Sequence, residues 1–282
     1  MLATLPPWLT LPPRNLAPVL ATARLLQEQD LFTVCESANC PNASECFTRR
    51  TCTFMILGNV CTRGCSFCAV QTGRPTLPDP TEPARVARAA AALGMRHVVV
   101  TSVTRDDLTD GGASQFVATI RELRKSPDVT VEALVPDFRG DRRPLEEVIV
   151  AGPDVLAHNI ETVPRLYVKV RRGAAYERSL RIISQLPVGG AVSKSGLMLG
   201  LGETLQEVFE VMADLRSVGC EVLTLGQYLQ PSLDCLPVAD YVSPSVFDAL
   251  KLKALAMGFR SCVAGPLVRS SYHAEATVGP GA

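Results

Sequence analysis

The stretch TFMILGNVCTRGCSFC, residues 53–68, decides the fold. An apolar run of strand length, residues 53–57, leads at once into Cys61, Cys65 and Cys68, spaced C-x3-C-x2-C with Phe67 before the last. Parallel α/β folds gather their chemistry at the C-terminal ends of strands, and a thiol-rich loop directly after a strand has that placement. Downstream the alternation continues. Short runs rich in Val, Ile and Leu predict strands at 97–102, 129–135, 154–159, 191–199 and 221–227. Segments of helical period at 82–93, 114–125, 144–151, 177–186, 205–218 and 245–257 follow them in turn, so six βα units result. Gly94, Gly152 and Gly219 stand where three of these helices should stop, the position at which a left-handed C-cap favours glycine. Six such units build either a doubly wound open sheet or an incomplete (β/α) barrel, and periodicity does not separate the two.

Composition narrows the class. With 282 residues, 47% of them hydrophobic, the chain fills a sizeable core. Its 28 Lys and Arg balance 28 Asp and Glu, so neither nucleic acid nor an anionic membrane is expected as a partner. The segment MLATLPPWLTLPPRN lacks a basic n-region and is broken by prolines, which does not read as a signal peptide. A cytoplasmic or organelle-matrix location is expected. In that setting ten cysteines are held for metal or catalysis rather than for disulfides, and seven of them lie between Cys35 and Cys68.

Three cysteines are one short of a structural zinc site, and no second pair or suitably spaced His follows. Thiolates bind iron–sulfur clusters equally well. On a four-iron cluster three ligands leave one iron open to a small molecule. The upstream set, Cys35, Cys40 and Cys46, is spaced C-x4-C-x5-C, and in isolation zinc remains open for it.

The C-x3-C-x2-C loop with its aromatic resembles the signature of the radical S-adenosylmethionine (radical SAM) superfamily. Across nearly the whole chain, CESANCPNASECF (35–47), TSVTRDDLTDGGA (101–113), HNIETV (158–163), SGLMLGLGE (195–203), LTLGQYLQPS (223–232) and RSSYHAE (269–275) closely resemble the lipoyl synthases. The resemblance implies an α/β fold, a partial (β/α)6 barrel at 53–260, with an N-terminal extension at 1–52 that carries auxiliary-cluster cysteines and a C-terminal extension at 261–282 that carries RSSY. It also implies an enzyme that inserts two sulfur atoms, at C6 and C8, into an octanoyl chain on a carrier lysine. Those carbons have no acidic proton, so the step needs a radical, which enzymes delegate to a cofactor. The cofactors implied are two 4Fe-4S clusters and SAM. Cys61, Cys65 and Cys68 would hold the cluster that cleaves SAM. Cys35, Cys40 and Cys46 would hold the auxiliary cluster that donates sulfur, with Ser271 as its fourth, weaker ligand.

By the same resemblance, Thr101, Ser102 and Asp107 are candidates for the SAM amino group, with helix capping by Asp106 or Asp107 as the alternative. Asn159 and Glu161 are candidates for the ribose hydroxyls, and Lys194 for the SAM carboxylate or a buried ion pair. His158 reads as a structural histidine, and Arg269 as an orienting charge near the cluster or a surface residue. GLMLGLGE lacks the Lys-Ser/Thr of a phosphate loop, which leaves backbone approach to the adenine. Cys52, Cys220, Cys235 and Cys262 are expected to be structural, and Arg63-Gly64 to tolerate change. Expected partners are octanoylated lipoyl carrier domains (2-oxoacid dehydrogenase E2 subunits and the glycine cleavage H protein) and an external electron donor. Two alternatives are a biotin-synthase-like enzyme acting on a free small molecule and a non-catalytic iron–sulfur protein.

Overall fold

Ten strands follow one another along the chain in a computed structural model that describes residues 5–10 and 16–277. They are β1 (Phe32–Thr33), β2 (Thr53–Ile56), β3 (Val60–Cys61), β4 (Gln71–Thr72), β5 (His97–Ser102), β6 (Thr130–Leu134), β7 (Val155–Ala157), β8 (Val192–Leu199), β9 (Val222–Gln227) and β10 (Ser261–Gly265). Eight of them form one sheet in the order β1-β2-β5-β6-β7-β8-β9-β10. Every neighbouring pair is parallel except β1 with β2. Because β1 and β10 stand at opposite ends of that order, the barrel is open, as the sequence leads one to expect.

The sheet is wider than six strands. β10 pairs with β9 from Ser261↔Val222 to Gly265↔Gly226, so the parallel part has seven strands. Both expected boundaries, 52/53 and 260/261, therefore fall within a single sheet, with β1 on one side and β10 on the other. β1 is too short, and β10 too poor in alternation, to register as a strand in the sequence.

Parallel strands are covered on both faces, here by helices outside and a cavity inside. In β5 the period-2 alternation sends Val98 and Val100 into the apolar core. His97, Val99 and Thr101 line the cavity. The core is completed by helix residues such as Val86 and Ala90 from Glu82–Ala92, Phe116 and Ile120 from Ala113–Leu123, and Val208 and Met212 from Leu205–Ser217. Thr204 and Glu207 start that last helix with a reciprocal capping box. Gly94, Gly152 and Gly219 take φ of 64°, 73° and 83°, the left-handed C-caps expected of them. No helix among the described residues is long and apolar enough to cross a membrane.

Candidate active site

A cavity of about 500 Å³ lies within the barrel and is lined by all six cysteines of the two sets. Thr101, Ser102, Asn159, Glu161 and Ser271 line it as well.

The first set sits on a loop pinned at many points. β3 and β4 bracket it with a parallel ladder, Val60↔Gln71 and Cys61↔Thr72. Thr62 donates from its N–H and its hydroxyl to the Thr104 carbonyl, at 3.0 and 2.9 Å. Ser66 donates its N–H to Val170 and accepts from Leu236. Arg63 contradicts the expectation that it tolerates change. Its guanidinium reaches Asp106 at 2.6 Å and Asp137 at 2.8 Å, and Arg178 joins Asp137 at 3.0 Å. The Asp137 side chain is fully buried. Burial alone would raise its carboxyl, but the hydrogen bond and charge of Arg63 outweigh this and hold it at about 2.

The second set is carried by two short helices and the chain between them. Cys35 lies in Val34–Ser37, which Thr33 caps through the Glu36 N–H, and Cys46 lies in Ala43–Thr48. From the far end of the chain, residues 266–276 lie against this segment. Asn42 Nδ2 donates to the Leu267 carbonyl at 2.6 Å, and Glu45 accepts from the Tyr272 hydroxyl at 3.1 Å. Gly226 makes room for the crossing: a Cβ there would lie 2.1 Å from the Val268 carbonyl oxygen. Arg269 is not a surface residue. It donates to the carbonyls of Val268 and Gln227 and lines the cavity near Cys40.

Burial pushes the thiols of Cys35 and Cys65 up to about 12 and those of Cys46 and Cys68 to about 11. A metal group binding there must displace protons, since thiolate is the ligand. Among the described residues no three Cys, His, Asp or Glu side chains enclose a single ion. What the cavity offers is soft sulfur donors in two triads, a donor set that fits iron–sulfur clusters.

The remaining expected residues separate. Ser102 Oγ and Asn159 Oδ1 are buried without a hydrogen-bond partner, and both residues line the cavity. Thr101 Oγ1 instead donates to the Leu134 carbonyl at 2.9 Å. Glu161 holds φ at 66°, a strain of about 1–2 kcal/mol for a residue with a Cβ. Two backbone bonds to β8, through Gly196 and Met198, keep it there. Burial raises its carboxyl, partly offset by Arg171 and by a hydrogen bond from Asn159.

Lys194 takes the ion-pair alternative rather than the cavity. Its Nζ donates to both oxygens of Glu132 at 2.8 and 3.0 Å, and His97 Nε2 stands 3.6 Å from the same carboxylate. As the third residue of the eight in β8, it sits low in the barrel, away from the C-terminal ends of the strands. Asp107 pairs with Arg105 at 2.9 Å, Asp106 pairs with Arg63, and the next helix is capped by Asp110 through the N–H groups of Gly112 and Ser114. His158 is structural: its ring meets the Val135 carbonyl and the Ser179 hydroxyl, and burial with the Arg171 charge pushes it down to about 3. In GLMLGLGE, Gly196 to Met198 line the cavity, while the N–H groups of Gly200 and Leu201 are already taken by the Glu203 carboxylate.

Residues 55–215 match the Radical SAM superfamily. A lipoyl synthase of Caldanaerobacter subterraneus is 56% identical over 254 residues, covering 89% of each chain. One from Methylococcus capsulatus is 55% identical over 274 residues, covering 96% of this chain and 85% of its own. The chain belongs to the lipoyl synthase family. Among solved structures, this lipoyl synthase fold is similar to methylornithine synthase (TM-score 0.59, 15% identity, 86% of this chain and 74% of that one). It is also similar to SuiB of Streptococcus suis, solved with S-adenosylmethionine bound (TM-score 0.53, 10% identity, 86% and 57%).

One lipoyl synthase residue at the site escapes sequence reasoning, and two cysteines expected to be structural lie buried near the two sets. Arg171 lines the cavity, and its guanidinium donates to neutral groups: the Asn159 carbonyl at 2.9 Å, the Tyr167 hydroxyl at 3.0 Å and the Ser179 hydroxyl at 2.8 Å. Within the basic run KVRR it reads as a surface charge. Cys52 lines the cavity near Cys35 and Cys46, with its sulfur 4.0 Å from that of Met95. Cys235 lies on the other side of the first loop, its sulfur 3.5 Å from the Cys68 carbonyl oxygen. Cys220 and Cys262 are buried core residues.

Proposed function

We propose that this lipoyl synthase holds one four-iron cluster on Cys61, Cys65 and Cys68 and a second on Cys35, Cys40 and Cys46, with Ser271 as the oxygen ligand of the second. One observation carries the reading: both triads, and a serine from the opposite end of the sequence, line a single cavity. When bound, the first cluster supplies the electron that cleaves SAM to a 5′-deoxyadenosyl radical, and the second supplies sulfide for C6 and C8 of the octanoyl chain.

The chain's own residues bind and orient. The unpartnered Ser102 Oγ and Asn159 Oδ1 are polar atoms that a bound SAM would satisfy, since buried polar groups rarely stay unpaired. Glu161, held in a strained conformation, suits the ribose hydroxyls. Arg171, with its charge beside Cys65 and Glu161, suits the SAM carboxylate in the place first given to Lys194. Val99, Leu134, Leu197 and Met198 give the cavity an apolar wall for the octanoyl chain.

Labour is divided between the barrel, which carries the first triad, and the segments on its two sides, which carry the second triad and Ser271. The substrates are octanoylated lipoyl domains. Among them the E2 subunits of 2-oxoacid dehydrogenases and the glycine cleavage H protein are our proposed carriers, served in the cytoplasm with an external electron donor. Anaerobic incubation of the loaded enzyme with SAM, dithionite and an octanoyl-lysyl peptide tests the reading. Mass spectrometry should show two sulfurs gained per peptide; SAM cleavage without sulfur gain would overturn it.

A further inference from the structure

We infer that Glu45 is the positioning residue that holds Ser271 at the second cysteine set. Its carboxylate accepts from the Tyr272 hydroxyl, at 3.1 and 3.2 Å, and stands 3.1 Å from His273 Nε2. These are the two residues that follow Ser271. Their rings meet edge to face with centroids 4.1 Å apart, so they present to Glu45 as one unit. The Tyr272 N–H closes back on the Arg269 carbonyl at 2.9 Å, which folds Ser270 and Ser271 into a turn.

That turn is fixed at both ends by the same short stretch. Asn42 holds Leu267 before it and Glu45 holds Tyr272 and His273 after it, while Arg49 adds an ion pair to Glu275 at 2.5 Å. Glu45 immediately precedes Cys46 in the helix Ala43–Thr48. The serine is thereby referenced to the thiol beside it, and one helix sets the place of both. The Glu45 side chain is 47% exposed, so each bond is individually weak, and the grip comes from two donors converging on one carboxylate. Glutamine keeps one acceptor for the tyrosine but loses the charge that faces the histidine; alanine loses both.

The inference rests on Ser271 being the oxygen ligand, and the test keeps the two apart. Glu45→Ala, Glu45→Gln, Tyr272→Phe and Ser271→Ala are each made in the full chain with Cys61, Cys65 and Cys68 changed to Ala, so that iron-57 Mössbauer spectra report only the second cluster. Chelator-driven iron loss is timed on the same samples. The same four changes in the otherwise unaltered enzyme give the ratio of lipoyl product to 5′-deoxyadenosine. Glu45→Ala should move the spectrum toward that of Ser271→Ala, speed iron loss roughly three- to tenfold, as expected for losing hydrogen bonds to a charged group, and lower the product ratio by a similar factor. Glu45→Gln should fall between parent and alanine. Tyr272→Phe, which removes one hydroxyl, carries the test if Glu45→Ala fails to fold. A Ser271→Ala change with an unaltered Glu45→Ala spectrum and iron-loss rate overturns the Glu45 role alone. A parental spectrum in Ser271→Ala overturns the ligand reading and the Glu45 role with it.

Discussion

The two cysteine sets share a cavity but not a manner of support. The first is locked from beneath by a parallel ladder, by backbone bonds to Thr104 and Val170, and by Arg63 and Asp137, with side chains 9% and 0% exposed. Much of the second set's support comes from side chains near the surface: Glu45, Arg49, His273 and Glu275 are 47%, 47%, 32% and 34% exposed. Buried charges that lose a partner are costly, whereas exposed pairs are cheap to part. On the proposed assignment the contrast matches two fates: the cluster used at every turnover would sit in the buried frame, and the one that gives up its sulfur would sit where the supporting ion pairs are cheap to part.

The largest expected effects break the two sets one at a time. Cys65→Ala should abolish 5′-deoxyadenosine formation, whereas Cys40→Ala should continue to form it without sulfur insertion; chromatography of the nucleoside with mass spectrometry of the peptide separates the outcomes. Next comes the frame itself. Arg63→Leu leaves the buried Asp137 with Arg178 as its remaining ion-pair partner and should cost about 3–5 kcal/mol, read from chemical denaturation of the metal-free chain.

Acid should reveal the same frame without a mutation. The Asp137 carboxyl is held at about 2 in the folded chain, below the ordinary value of ~3.9, so its stabilisation is complete above pH ~4 and is lost as pH falls through about 2. The parent should lose roughly 2–3 kcal/mol over that interval relative to Asp137→Asn, in which the titration is absent. The smallest effect belongs to the second set, where Tyr272→Phe should change iron retention by only a few-fold.

What the sequence makes legible follows from range. The cysteine spacings are local, and so are the apolar runs that become β2 and β5 through β9, each of which forms within a residue or two of its expected place. Partners across the sheet are not local. Arg63 finds Asp106, 43 positions on, and Lys194 finds Glu132, 62 positions back, and neither pairing leaves a mark on its own neighbourhood. Lys194 is instructive: the apolar run puts it on a strand and the resemblance makes it a candidate for the SAM carboxylate or an ion pair, but neither gives its depth, and depth decides between meeting a ligand and meeting a carboxylate. Arg171 is the converse, a cation hidden among other cations that only the fold turns inward.

The bond from Asn42 to Leu267 joins positions 225 apart. On a ribosome adding 5–20 residues per second, the second triad is made roughly 10–45 s before the segment that completes its surroundings. Through that interval Cys35, Cys40 and Cys46 are without Ser271. On the proposed assignment, the second centre is therefore completed only once this later segment has been made, and not when its thiols are.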